Sequence, residues 1–324
     1  MKYSLLSILK NSNDYVSGEL ISTELGVTRA SIWKYIKSLK SEGYIIEGIS
    51  NKGYKLISSP EIINEFEIKS NLETTFIGHN IFHFASIDST NKKAKELAKK
   101  DAIDGSLIIS DEQSIGKGRF DRTWISPKGG LWLSLILRPL ISPQDASKLT
   151  MLAAASLHKT LEEFNIDINI KWPNDLLIKG KKFSGILTEM NGDMDKINYI
   201  VLGIGINTNI DEDIIPNELK DKSTSLKIET GKSISNIDVL CTFLKNFESD
   251  YIDFTNTLDL TTTINLFRKH SNIINKNVTV HTIRNSFNAK CIDIDSDGNL
   301  VLIDDDGNTV IQNSGEISLS KPLV

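Results

Sequence analysis

Cysteine is nearly absent: Cys241 and Cys291 are the only two in 324 residues, and neither belongs to a C-x-x-C pair. That excludes a disulfide framework and a thiolate zinc site, and it fits a reducing, cytoplasmic setting. An excess of positive charge is missing too, since 37 Lys and Arg against 42 Asp and Glu give a formal net charge of -5. Any contact with nucleic acid must therefore be local rather than spread over the whole surface. Long apolar runs are lacking; the best, residues 199–206, contains two glycines and is too short for a bilayer. Leu5, Leu6, Ile8 and Leu9 give way at once to Asn11, Ser12, Asn13 and Asp14, which is no secretory leader, so no membrane partner is expected. Internal repeats and low-complexity tracts are absent as well.

The common nucleotide fingerprints also fail. Gly231-Lys232-Ser233 could end a phosphate loop, but the required glycine five residues earlier is Leu226. Gly203-Ile204-Gly205 opens a G-x-G, yet Ile206, Asn207 and Thr208 follow instead of a third glycine and a helix. His79 and His83 are four apart in a strand-like segment with no Glu between them, so no metal site is expected.

What is present is a soluble, globular composition, 40% hydrophobic and 24% charged, at a length that suits two or three domains. Residues 1–60 carry a helix over 3–10, a second from Ser17 with Leu20, Ile21 and Leu25 on one face, a break at Gly26, and a third helix from Thr28 with Ile32, Ile36 and Leu39 inward. Two strand-like pieces, 44–47 and 54–57, flank a turn with Asn51, Lys52 and Gly53. Helix-turn-helix plus hairpin predicts a winged helix. Its lysines and Arg29 outnumber its acids, so Thr28, Arg29, Ser31, Lys34, Lys37 and Lys52 are the candidate contacts to operator DNA.

After a Ser58-Ser59-Pro60 linker and a helical 61–70, strands and helices alternate: strands at 81–86, 106–110, 131–138, 168–172, 176–178, 182–190 and 199–206, and helices at 91–100 and 143–165, the latter capped by Ser142. This predicts an α/β or α+β core with a mixed sheet. Residues 211–232 are polar and weakly patterned, which predicts a lid or a segment without structure of its own. An amphipathic helix follows around Phe243 and Phe247, and 278–319 alternates with turns at Asp297-Gly298-Asn299 and Asp306-Gly307-Asn308, predicting a small SH3-like β-barrel. The expected domains are 1–60 (winged helix), 61–275 (catalytic) and 276–324 (barrel), an α+β multidomain chain.

Residues 111–134 hold the densest chemistry: Gly116, Lys117, Gly118, Arg119, Arg122 and Trp124, then Gly129 and Gly130 before a strand. Glycines let backbone N–H groups approach an anion and the cations neutralise it, so the loop is a candidate lid over phosphate or carboxylate. With its surroundings the loop resembles the biotin protein ligases and, given the winged helix, the bifunctional ligases that also repress the biotin operon. The blocks carrying this are Asp88-Ser89-Thr90-Asn91, Gln113 with Gly116-Lys117-Gly118-Arg119, Gly130-Leu131-Trp132-Leu133-Ser134, Lys171-Trp172-Pro173-Asn174-Asp175, K-F-S-G-I-L from Lys182, Glu189, and Gly203-Ile204-Gly205-Ile206-Asn207, all in the family's order.

The resemblance implies two steps: biotin's carboxylate attacks the α-phosphate of ATP, giving biotinoyl-AMP and pyrophosphate, and a lysine of a biotin carboxyl carrier protein domain then displaces AMP. It implies biotin binding by Ser89, Thr90, Asn91, Gln113, Gly116, Lys117, Gly118, Arg119 and Lys182, with Trp124, Asn174 and Asn207 at the adenylate. Arg119, Lys182 and Lys171 are the expected catalytic cations, Mg²⁺ shares the phosphate charge, and Asp175 orients or deprotonates the acceptor amine, whose unperturbed pKa is about 10.4. Of Trp132 and Leu133, one is expected to wall the apolar rings while the other faces away. Lys117 stands where arginine is frequent in the family, which keeps the charge but not the planar fork. A ligand-promoted homodimer carrying two winged helices is the implied repressor. The competing readings are a lipoate or octanoyl ligase of the same superfamily and a ligand-sensing repressor without ligase activity.

Overall fold

The computed structural model describes residues 1–282 and 285–320; residues 283–284 and 321–324 of the expected third domain lie outside the described residues. The chain divides into two compact units, Met1–Ile62 and a larger one from Ile63 onward.

In the first unit, helices α1 (Lys2–Lys10), α2 (Gly18–Leu25) and α3 (Arg29–Ser41) precede the antiparallel strands β1 (Ile45–Ile49) and β2 (Gly53–Ser58). Ser17 caps α2 by accepting from the Leu20 N–H at 3.1 Å, and Thr28 caps α3 through the Ser31 N–H at 3.2 Å. Gly26 ends α2 in the left-handed region at φ 64°, which a side chain would resist. Leu6, Ile21, Ile32 and Leu39 form the core. Leu20, expected inward, is 54% exposed. Consecutive helical residues point about 100° apart, and in this short helix it is Ile21 that faces the core. The wing turn needs Gly53: at φ 114°, a Cβ there would sit 2.0 Å from the Val16 carbonyl oxygen.

The larger unit is built on a seven-stranded mixed sheet. In chain order come α4 (Glu65–Asn71), β3 (Ile81–Phe84), α5 (Thr90–Ala98), β4 (Ser106–Ser110), β5 (Leu131–Leu137), α6 (Lys148–Glu163), β6 (Asn169–Lys171), β7 (Asp175–Ile178), β8 (Lys181–Gly192) and β9 (Ile197–Ile206). Then follow α7 (Leu226–Thr230), α8 (Asn236–Thr257) and α9 (Thr261–His270). The strand order is β3-β4-β5-β9-β8-β7-β6, with only β3 and β4 parallel. Strand alternation sends Leu133, Leu135 and Leu137 to the face packed by α6 and α8, where Leu152, Phe243 and Phe247 complete the core. The opposite face carries α5, whose Ala94 and Ala98 lie against Ile108, Ile136 and Val201. Helix α5 covers only part of that face, and the remainder is the floor of a cleft. No described helix is long and apolar enough to cross a membrane.

Two local expectations are corrected. The helix predicted over 143–165 is a short 3-10 turn, Pro143–Asp145, followed by α6 from Lys148. Ser142 does not cap it, because its hydroxyl turns to the Gln144 side chain at 3.0 Å. Residues 211–232 are not a structureless lid: they hold a 3-10 turn at Asn217–Leu219 and then α7, capped by Ser225. Backbone bonds from Lys182 N–H to the Lys222 carbonyl (2.8 Å) and from Thr224 N–H to the Lys182 carbonyl (3.0 Å) strap the segment to β8, and Ile215 and Leu226 are buried.

The chain ends in β10 (Asn277–His281), β11 (Ser286–Ile294), β12 (Leu300–Asp304), β13 (Thr309–Gln312) and β14 (Glu316–Leu319), ordered β13-β12-β11-β10-β14 and antiparallel throughout. Both predicted turns are present, each with a leading Asp that accepts two backbone N–H bonds: Asp295 from Asp297 and Asn299, Asp304 from Asp306 and Asn308. Among the described residues the five strands make one antiparallel sheet, and no closed barrel is found. Strands β13 and β14 pair on one side each and remain edges of an open sheet among the described residues.

Candidate active site

The cleft floor follows from strand register. Asp175 on β7, Gly185 on β8, Gly205 on β9 and Trp132 on β5 are direct neighbours across the sheet, as are Leu187, Gly203 and Ser134 one step along. Directly opposed residues share a face, so glycines occupy the middle of this one. A Cβ on Gly203 would lie 2.0 Å from Asn91 Oδ1, one on Gly205 2.5 Å from Trp124 Nε1, and one on Gly185 3.0 Å from Lys182 Cε. The glycines thus make a trough over which Asn91, Trp124 and Lys182 lie, bounding a cleft of about 260 Å³.

One end of the trough is neutral and polar. Ser89 caps α5, while Thr90 and Asn91 in its first turn are buried. The Gln113 carbonyl oxygen accepts from the Thr90 N–H (2.8 Å) and hydroxyl (3.1 Å), and its amide nitrogen donates to Ser126 Oγ at 2.8 Å. Ser134 Oγ is 2.6 Å from Asn91 Oδ1 and 2.8 Å from Thr90 Oγ1. Asn91 in turn donates to Glu189 at 2.9 Å, and Glu189 pairs with Lys95.

The other end is cationic. Arg119 donates to Asn174 Oδ1 at 2.9 Å and to the Gly315 carbonyl at 3.0 Å, bringing β14's leading turn to the cleft. Burial pulls the guanidinium pKa downward while Asp175 and Glu316 oppose it. Lys182 Nζ is 2.6 Å from Asp175 Oδ1, although the angle makes this an ion pair only, and that buried oxygen has no hydrogen bond. Lys182 also stands 5.0 Å from the Trp124 ring centre. Lys171, across from Asp175 on β6, reaches the same cleft. Asn174 donates to the Ile186 carbonyl and Asn207 to the Thr224 carbonyl, which ties the floor to the strapped 211–232 segment.

Gly116, Lys117 and Gly118 form one arm of a hairpin that joins the two ends. Its rungs are Gln113 N–H to the Ser126 carbonyl, Trp124 N–H to Gly116 and Gly118 N–H to Arg122. Phe120 and Asp121 at the tip have φ of 56° and 55°. Arg122 forks onto Glu316 at 2.8 and 2.5 Å, which holds the Glu316 carboxyl below its ordinary pKa. Lys117 is exposed on the hairpin. Trp132 shares the trough face but packs against Ile210 and Ile215, with Leu133 in the core on the other side. Among the described residues no cluster of three His, Cys, Asp or Glu could hold a metal ion. His83 instead contacts Asp111 and His79 the Thr74 carbonyl.

Sequence reasoning missed Ser126 and the half-buried Asn91–Glu189 contact. Neither has a local signature, since each depends on a partner brought by another strand.

Within the first unit, Arg29, Lys34 and Lys37 lie on the exposed face of α3, with Arg29 paired to Glu19, and Lys52 lies in the wing turn. Thr28 is spent on the cap, and Ser31 is half-buried. Trp33, which sequence reasoning passed over, is 56% exposed between these cations, 5.3 Å from Lys37 Nζ.

Residues 83–207 match the Biotin/lipoate A/B protein ligase family, residues 2–55 an HTH domain, and residues 273–320 the Biotin protein ligase C terminal domain. The chain is 40% identical over 297 residues to the Bifunctional ligase/repressor BirA of Bacillus subtilis (strain 168), covering 91% of each. It is 33% identical over 209 residues to the protein of that name from Escherichia coli (strain K12), covering 63% of this chain and 62% of the other. Among solved structures, the biotin protein ligase from Aquifex aeolicus in complex with biotin and ATP superposes with a TM-score of 0.66 at 26% identity, covering 75% of this chain and 100% of that one. With all three segments matched in order and this identity along nearly the whole length, the chain belongs to the biotin protein ligase family, among its bifunctional ligase/repressors.

Proposed function

We propose that this protein activates biotin with ATP, passes it to a lysine of a biotin carboxyl carrier domain, and represses transcription as its adenylate-loaded form. The observation that carries the reading is the trough itself: a glycine floor that admits flat groups, with uncharged donors and acceptors at one end and Arg119, Lys182 and Lys171 at the other. A cyclic urea joined through an apolar chain to a carboxylate has that same polarity.

The ring end is taken by Ser89, Thr90, Asn91 and Gln113, and the hairpin of Gly116, Lys117 and Gly118 lies along the tail. A carboxylate and a triphosphate repel each other, so cations must lie between them. Arg119 and Lys182 bracket the junction and Lys171 adds charge at the phosphates. A carboxylate oxygen of biotin attacks the α-phosphorus, the bond to the β-phosphate oxygen breaks, and pyrophosphate leaves. Mg²⁺ enters with ATP as part of the substrate. Such an ion would be carried mainly by phosphate oxygens and water. Trp124, Asn174 and Asn207 border the adenylate, with the 211–232 segment above. The acceptor amine loses a proton toward Asp175 and attacks the acyl carbon, and the acyl–phosphate bond breaks to release AMP. Lys182 Nζ, 2.6 Å from Asp175 Oδ1, holds that carboxylate in place at the junction.

We assign residues 1–60 to operator recognition through Thr28, Arg29, Ser31, Lys34, Lys37 and Lys52, residues 61–275 to ligation, and residues 276–324 to an SH3-like module whose Gly315 and Glu316 brace the hairpin. A ligand-promoted dimer presents two winged helices to two half-sites. The test is pyrophosphate release from ATP with biotin, lipoate or octanoate offered separately. Release with biotin alone supports the reading, release with lipoate or octanoate replaces it by the related ligase, and release with none leaves only a sensor. Operator fragments should be bound more tightly with biotin plus ATP than without, and indifference to both ligands removes the repressor half.

A further inference from the structure

We infer that Ser126 is a positioning residue that fixes which end of the Gln113 amide faces each neighbour, and so holds the ring end of the trough to a urea; the inference rests on the biotin reading above. The Gln113 oxygen accepts both from the Thr90 N–H and from its hydroxyl. Its nitrogen donates to Ser126 Oγ at 2.8 Å, and Ser126 Oγ donates onward to the Trp124 carbonyl at 3.1 Å. Turning the amide end for end would set its NH₂ against the Thr90 N–H, donor against donor. It would also ask Ser126 to give the hydroxyl proton already committed to Trp124. Thr90 and Ser126 together therefore select one orientation, and Ser126 anchors it to the backbone of the hairpin.

The position is built for this hydroxyl. Ser126 is 4% exposed, and a Cβ on Gly116 would come within 2.6 Å of its Oγ and 3.2 Å of Gln113 Nε2. The same Cβ would lie 2.3 Å from the Trp124 carbonyl oxygen, so glycine at 116 lets the hairpin backbone and the Ser126–Gln113 contact close up together. With one N–H of Gln113 spent on Ser126, the second is left for the substrate, where a urea carbonyl oxygen accepts it. A dithiolane ring has no oxygen to offer and would leave that donor buried and unpaired, so the same contact disfavours a lipoyl substrate.

The experiment uses the full chain, pyrophosphate release at saturating ATP, and two probes: biotin, and desthiobiotin, which keeps the urea and lacks the sulphur ring. In Ser126→Ala the KM for both probes should rise by about tenfold, as expected for one buried hydrogen bond, with kcat and the KM for ATP changed by less than about twofold. In a Gln113→Ala background the added Ser126→Ala change should move the biotin KM by less than about twofold, since the two side chains act as one unit. A rise in the ATP KM matching that for biotin, or a full tenfold effect without Gln113, would mean that Ser126 merely holds the hairpin, and overturns the inference. An unchanged biotin KM in Ser126→Ala overturns it as well, whereas a wild-type chain with no biotin-dependent release brings down the ligase reading instead.

Discussion

Gly203→Ala tests the trough floor most sharply. The added methyl would begin 2.0 Å from Asn91 Oδ1 and 2.7 Å from its Cγ. Ordinary contact is about 3.5 Å, so the amide must retreat by roughly 1.5 Å or the strand must bow. Either movement separates Asn91 from Ser134, now 2.6 Å away, and from Glu189, now 2.9 Å away. Both Ser134 and Asn91 are buried, so water cannot replace what is lost. At about 1–3 kcal/mol for each unsatisfied buried group, and with Lys95 still beside Glu189, the loss should total about 3 kcal/mol. For a unit of this size that lowers Tm by roughly 6–12 °C. Scanning calorimetry on Gly203→Ala, Asn91→Ala and the double variant is the assay. The double variant should melt close to Asn91→Ala, because the methyl then has nothing to strike. A Tm within about 2 °C of wild type in Gly203→Ala, or full additivity in the double variant, would refute the packing argument.

Three further outcomes follow from individual side chains. His158 is buried, both ring nitrogens lack hydrogen bonds, and its ring centre lies 4.0 Å from that of His270 with the planes tilted by 52°; burial, aided by His270, pushes its pKa down to about 4. It is neutral in the fold while the unfolded chain takes a proton near 6.5, so stability present above pH 6.5 should fall away toward pH 4 by up to roughly 3 kcal/mol. Urea unfolding across that window should show this slope flattened in His158→Leu, and an unaltered slope contradicts the assignment. Glu248 accepts from the N–H groups of Thr75, Phe76 and Ile77 and from the Thr75 hydroxyl. Those bonds outweigh its burial and hold its pKa down, so Glu248→Gln, which faces donors with an NH₂ group, should lose about 2–4 kcal/mol in equilibrium unfolding near pH 7. Asp175→Asn should spare adenylate formation and slow transfer by about 10²-fold in single-turnover chase experiments, and equal loss in both steps removes its role as proton acceptor.

The helices, the strands and the blocks around the trough were legible because period and turn chemistry are local. Gly26, Gly53, Ser17 and Thr28 act where the pattern puts them, and the Asp-led turns near Gly298 and Gly307 form as read. Leu20 departs from the expectation because adjacent helical residues point about 100° apart, and in α2 it is Ile21 that takes the inward direction. The 211–232 segment was misread because its order comes from backbone bonds to Lys182, which no side-chain pattern announces. The open β13 and β14 edges show the same limit, since alternation predicts strands but not closure. In the cleft, the G-x-G of Gly203 and Gly205 was visible as a motif, but its reason was not. That reason is the register that sets Gly185, Gly205 and Trp132 side by side, with Asn91 and Trp124 lying above. Ser126 was invisible for a related cause: it matters only through Gln113, thirteen residues away across the hairpin stem.

The most direct test of the account is the intact mass of a purified biotin carboxyl carrier domain after incubation with this protein. With biotin and ATP together, one biotinyl group should appear on one lysine, and none should appear when ATP is omitted or when Arg119 is replaced by Ala. Addition without ATP, or no addition under conditions where biotin-dependent pyrophosphate release is seen, would contradict it.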